Sequence, residues 1–109
     1  MINIIEPIID HLGNIIYKNK IEQYHCEYGP AIEDANGTKW WYLNGQLHRE
    51  DGPAVEYADG SKEWYLNGQL HREDGPAVEY PDDSREWHLN GICYKFEIIW
   101  KIFKYLKNK

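Results

Sequence analysis

Cysteine, methionine and phenylalanine are scarce in this chain: two, one and two residues of 109. Two cysteines cannot build a disulfide framework. Cys26 and Cys93 also lie almost three repeat lengths apart, so a stacked sheet would hold them beyond bonding distance. A reducing, cytoplasmic setting is therefore expected. Basic residues are scarce too, except at the C-terminus. Residues 1–94 carry 7 Lys and Arg against 17 Asp and Glu, and the whole chain has a formal charge of -6. Such an acidic body is repelled by phosphate backbones, so nucleic acid is not an expected partner. Long apolar runs are missing as well. Glu6 and Asp10 interrupt the N-terminal stretch, which reads as neither a secretion signal nor a membrane span.

What the chain does have is a period. Pro7, Pro30, Pro53 and Pro76 are spaced by 23 residues, as are Trp41, Trp64 and Trp87 and the pairs Asn44-Gly45, Asn67-Gly68 and Asn90-Gly91. Residues 41–57 and 64–80 share one sequence, WYLNGQLHREDGPAVEY. A fixed period of this length marks a stack of similar units, each burying its apolar side against the next. The reading is a single repeat domain over 1–109. A worn unit at 7–29 precedes units at 30–52, 53–75 and 76–95, and residues 96–109 form a cap.

Asn67-Gly68 and Asp59-Gly60 are hairpin signals, because type I′ turns require positive φ at both central residues. The segments between them have strand length and are rich in aromatics. If both turns are two-residue loops, Tyr65 faces Leu70 and Trp64 faces His71, while Tyr57 faces Lys62, Glu56 faces Glu63 and Val55 faces Trp64. Alternation then sorts the side chains. One face carries Pro53, Val55, Tyr57, Trp64, Leu66 and His71 and is expected to form the core. The other carries Ala54, Glu56, Glu63, Tyr65, Leu70 and Arg72, with Arg72 offsetting the opposed Glu56 and Glu63. Beyond Phe96, Ile99, Ile102, Phe103 and Leu106 follow helical spacing with Lys101, Lys104 and Lys107 on the other side, which predicts an amphipathic helix lying as a lid on the last strand.

The 23-residue unit with Asn67-Gly68, His71 and a later Asp-Gly is similar to the MORN repeat, most of all to its divergent forms in bacterial and viral proteins. The match covers residues 7–93. It departs where Arg72-Glu73-Asp74-Gly75 stands in place of a His-Gly-x-Gly continuation. The resemblance implies an all-β fold of stacked antiparallel hairpins in one elongated sheet, and a scaffolding, protein-binding or phospholipid-binding role.

Candidate chemistry is sparse. His25, His48 and His71 recur once per unit, but equivalent residues stand on the order of 10 Å apart or more, too far to share a metal ion; packing against tryptophan is expected. The acid pairs Glu50-Asp51 and Glu73-Asp74 lack the spacing of a calcium loop. Ser61 and Ser84 follow turns, exposed and without a partnered base. Cys26 and His25 are adjacent on a strand and point to opposite faces. No catalytic residue, metal or cofactor is expected, and the chain does not read as an enzyme.

The expected binding residues are a repeated stripe of Tyr42, Tyr65, Leu47, Leu70, Arg49 and Arg72, since tyrosine and arginine are favoured at recognition surfaces. His88, which stands where tyrosine recurs, joins them. The function read from this pattern is a non-enzymatic interaction module presenting its repeat surface, or its acidic loop edge, to a partner protein. A phage- or virus-encoded inhibitor of a host system fits by analogy with where such repeats occur. One alternative is a nucleotide-type ligand held by aromatic stacking and arginine. Another is peripheral membrane binding through the basic helix, which the acidic body opposes. Self-association through the sheet edge or the helix is a further expectation.

Overall fold

The computed structural model describes residues 6–109; the run 1–5, part of the stretch read above for a secretion signal, lies outside the described residues. In order come β1 (Ile8–Ile9), β2 (Ile15–Ile16), β3 (Ile32–Glu33), β4 (Lys39–Trp40), β5 (Tyr42–Leu43), β6 (Gln46–Leu47), β7 (Val55–Glu56), β8 (Lys62–Glu63), β9 (Tyr65–Leu66), β10 (Gln69–Leu70), β11 (Val78–Glu79), β12 (Arg85–Leu89), β13 (Ile92–Tyr94) and α1 (Glu97–Lys107). Nine strands form one open antiparallel sheet in the order β1-β2-β3-β4-β7-β8-β11-β12-β13. The pairs β5-β6 and β9-β10 are separate two-stranded ribbons. Each unit is thus two hairpins in series, one laid into the long sheet and one bent away from it at Trp41 or Trp64. In the last unit the bend is absent and β12 runs through both.

The ribbons follow the expected register: Tyr65 pairs with Leu70 and Leu66 with Gln69 across Asn67-Gly68. Both turn residues have positive φ, 51° and 80°, as a type I′ turn demands. The sheet hairpins do not follow it. Val55 faces Glu63 and Glu56 faces Lys62. Tyr57 N–H donates to the Ser61 carbonyl and Gly60 N–H to the Tyr57 carbonyl. The loop is therefore three residues, Ala58-Asp59-Gly60, with Gly60 at φ 94°, a type I turn closed by a left-handed residue. Asp-Gly marks the left-handed position but not the loop length.

That single extra residue reverses half of the expected face assignment. Val55 and Tyr57 share a face with Glu63, Tyr65 and Leu70. Ala54 and Glu56 share the other with Lys62, Trp64, Leu66 and His71. The anticipated Glu56–Glu63 opposition disappears. Glu56 instead sits between Lys39 and Lys62, in a cross-strand column Glu33, Lys39, Glu56, Lys62, Glu79 and Arg85 of strictly alternating charge. Opposite charges directly across a sheet each contribute a few tenths to about 1 kcal/mol, and like charges there oppose pairing.

Burial is thin and divided between the faces. Ala31, Ala54 and Ala77 are fully buried on the tryptophan side, Val55 and Val78 on the tyrosine side, and Val55 is the largest fully buried side chain. The molecule measures 45 × 34 × 18 Å with a radius of gyration of 15.8 Å, against roughly 13 Å for a compact domain of this length. Stability in such a stack comes from each unit's contact with its neighbours.

The helix α1 packs on β12 and β13. Trp100 is buried, and the Phe103 ring lies 5.2 Å from that of Tyr94. It covers less than a full lid: Ile98, Ile102, Tyr105 and Leu106 stay exposed. Among the described residues no helix is long and apolar enough to cross a membrane.

Candidate functional site

The recurring histidines have a defined task. His25, His48 and His71 accept, through Nδ1, hydrogen bonds from the backbone N–H of Asn44, Asn67 and Asn90, each 2.9 Å long. Every histidine thus holds the Asn-Gly turn of the following unit. Nδ1 must be unprotonated to accept, which leaves the proton on Nε2, 3.7 to 3.9 Å from Glu27, Glu50 and Glu73. Burial pushes the pKa of His71 below its ordinary value, Glu73 opposing and Lys107 reinforcing the shift.

Arg49 and Arg72 depart from the place expected of them. The expected neighbour of Arg72 was Glu63, on the tyrosine side. Its guanidinium lies instead over the Trp64 ring, 3.8 Å from the centroid, as that of Arg49 lies 3.9 Å over Trp41. Arg72 donates to Asp74 and to the Pro76 carbonyl and stands 3.5 Å from Glu79. Arg49 donates to Asp51, the Pro53 carbonyl and Glu56. The chain after His71 turns away from Glu63 to join the next unit, where Arg72 N–H donates to the His88 carbonyl. The arginines therefore belong to the tryptophan face. Tyr42 with Leu47, and Tyr65 with Leu70, form cross-strand pairs on the opposite face, all half-buried.

The tryptophan face carries two equivalent grooves. One, about 580 Å³, has Trp64, Leu66 and His71 between Arg49–Gly52 and Arg72–Asp74. The other, about 640 Å³, has Trp41, Leu43 and His48 between Cys26–Pro30 and Arg49–Asp51. Both have an aromatic and aliphatic floor and a rim of exposed acids, among them Glu50, Asp51, Glu73 and Asp74. At the next position in the series stand Trp87 and Leu89, and there α1 lies. Leu89 is 3% exposed, while its counterparts Leu43 and Leu66 are only half-buried. Lys104 Nζ donates to the Glu73 carbonyl at 2.7 Å and sits over the Trp100 ring.

The tyrosine face is organised around carboxylates. Tyr57 donates to Glu63, and Tyr80 donates to Glu86 at 2.7 Å. Burial and Glu63 push Tyr65 up to about 12; the Glu86 hydrogen bond pushes Tyr80 up to about 12. In the last unit this face changes character. His88 and Cys93 are a cross-strand pair where Tyr65 and Leu70 stand one repeat earlier. With Glu86 they place one carboxylate oxygen, one imidazole nitrogen and one sulfur within 4.8 Å of one another. The period makes these replacements visible in the sequence, and strand alternation already puts Glu86 on the face of His88 and Cys93; the structure adds the distances between their ligating atoms.

Of the remaining candidates, Ser61 is buried rather than exposed, Ser84 is exposed, and Cys26 and Cys93 are both free thiols. Burial and Glu86 push the Cys93 thiol up, the opposite of nucleophile activation. No protein-family model matches the chain, and neither a curated protein nor a solved structure matches it.

Proposed function

We propose that this protein is a non-enzymatic binding module that docks a partner protein on its tryptophan face. The observation that carries the reading is the repetition of one groove, with aromatic floor and acidic rim, a single unit apart. An isolated groove is common on proteins, whereas a repeated one suits an extended, repeat-spanning contact. The likeness of the 23-residue unit to MORN repeats supports the same role, since the resemblance implies scaffolding or protein contacts; a phage- or virus-encoded inhibitor of a host system fits by analogy with where such repeats occur. The partner chemistry indicated is basic and amphipathic. The chain's own helix, with five lysines over residues 95–109, closes the third place in the series.

A nucleotide has less in its favour, because the Trp41 and Trp64 faces that a base would stack on already carry guanidinium groups. Membrane attachment draws support from the exposed apolar residues of α1; it predicts co-sedimentation with anionic vesicles that disappears when residues 96–109 are removed.

The deciding experiment for groove docking is fluorescence anisotropy with a labelled synthetic peptide of residues 95–109. The full chain should bind it, with an affinity that falls as salt rises. Glu50→Lys with Glu73→Lys should weaken binding at least tenfold while leaving the melting temperature nearly unchanged. Absence of binding, or binding indifferent to those two reversals, rules out the acidic grooves as the docking surface.

A further inference from the structure

The fourth unit departs from the repeat at two positions that face each other across the sheet. Tyr65 and Leu70 of the third unit become His88 and Cys93, beside a glutamate that both units keep, Glu63 and Glu86. As a packing residue His88 is inferior to the tyrosine it replaces. It is 6% exposed, and its Nδ1 is buried with no hydrogen-bond partner among the described residues. A buried polar atom left unpaired opposes folding by about 1–3 kcal/mol. What imidazole adds over phenol at this position is a neutral nitrogen that can ligate a metal.

We propose that Glu86, His88 and Cys93 form a binding site for a divalent transition-metal ion, with Zn2+ the best fit to the donor set. One carboxylate oxygen, one imidazole nitrogen and one thiolate are the mixed ligands that Zn2+ and Co2+ accept, whereas Mg2+ and Ca2+ require oxygen donors throughout. The spacing suits a tetrahedral ion. His88 Nε2 and Glu86 Oε1 are 3.0 Å apart, and two ligands bound at 2.0–2.1 Å in tetrahedral geometry stand about 3.3 Å apart. The ion takes the place of the hydrogen between them, and the imidazole stays neutral because its one ring proton then sits on Nδ1. The sulfur closes the remaining distance through rotation about the Cys93 side chain, and its thiol proton leaves to solvent as the ion binds. Cys93 is exposed, so the ion has a path in and the fourth coordination position is left to water. The Tyr80 hydroxyl, bonded to Glu86 Oε2, fixes the carboxylate as outer-shell donors do in metal sites.

The experiment titrates the full chain with Co2+ and Zn2+. Co2+ should produce a near-ultraviolet thiolate charge-transfer band and the intense visible bands of a four-coordinate ion, and Zn2+ should abolish both. The signal should persist in Cys26→Ser and disappear in Cys93→Ser. Tyr80→Phe should weaken affinity by about tenfold. His88→Tyr with Cys93→Leu restores the pair found in the third unit, so this variant should fold and yet bind no metal. Zn2+ should raise the melting temperature of the wild type and of Cys26→Ser, but not of Cys93→Ser or the double variant. A Co2+ spectrum unchanged from the aqueous ion overturns the proposal. So does a thiolate band that follows Cys26, or a Zn2+ stabilisation that survives in the double variant.

Discussion

The third and fourth units are built on the same 23-residue frame and solve the same problems differently. In the third, Arg72 covers the half-buried ring of Trp64 and is tied down by Asp74 and the Pro76 carbonyl. In the fourth, Lys95 occupies the equivalent place, and α1 lies over the unit with Trp100 buried beneath it. The third turns through Gly60 at φ 94°, the fourth through Asp83 at φ 69°. The third pairs Tyr65 with Leu70, the fourth His88 with Cys93. An interior unit is completed by its successor. A terminal unit has none, and the substitutions gather where the successor would have been.

The largest test of that contrast is Trp100→Ala. Removing a fully buried tryptophan is expected to lower stability by about 3–5 kcal/mol, read by urea unfolding. Hydrogen exchange should show lost protection concentrated in residues 85–94, because units of a stack couple mainly to their nearest neighbours. Equal loss over residues 55–71 would mean that the helix supports the whole sheet and that the fourth unit is not a separate case.

Next in size is the histidine linking the two units. His71→Ala leaves the Asn90 N–H without its acceptor and should cost about 1–3 kcal/mol. Because burial lowers the folded-state pKa of His71, protonation favours the unfolded chain. Its contribution is complete above the ordinary histidine pKa of about 6.5 and is lost as pH falls below that, through the lowered folded value. Melting temperatures measured from pH 7 to pH 5 should decline, and His71→Gln, which keeps an acceptor but does not titrate, should lessen the decline. A slope identical in the two proteins would remove His71 from the account.

The smallest effect concerns the turns. Asp83→Gly should stabilise the chain by about 0.5–1 kcal/mol, and Gly60→Asp should destabilise it by a similar amount. A Cβ at Gly60 meets nothing within 4 Å among the described residues, so the penalty there is conformational. Thermal melts of both variants check the pair. Stability changes of the same sign would show that the two turns are not equivalent.

Much of the architecture was readable from residues alone. The period, the Asn-Gly ribbons, their register and the helical cap all follow from local rules, since a type I′ turn or an amphipathic helix is specified within a few neighbouring residues. The Asp-Gly loop was not. The dipeptide suits both a two-residue and a three-residue hairpin, and the choice falls to the pairing energy of the strands. Here the three-residue loop puts Glu56 against Lys62 where the shorter one would put it against Glu63. The candidate site was hidden for a different reason: after His71 the chain leaves the ribbon's register and carries Arg72 away from Glu63 to Trp64. Arg49 and Arg72 were singled out but assigned to the tyrosine face, and the grooves emerge only once they are placed over tryptophan.

The sequence by itself determined that this protein is a stack of like units, where its turns fall, and at which positions the last unit departs from the rest. Those are properties of single segments. Only the tertiary structure decided which residues share a face, that each histidine serves the turn of the following unit, and that Glu86, His88 and Cys93 meet. Faces depend on register, and register is fixed between strands rather than within them.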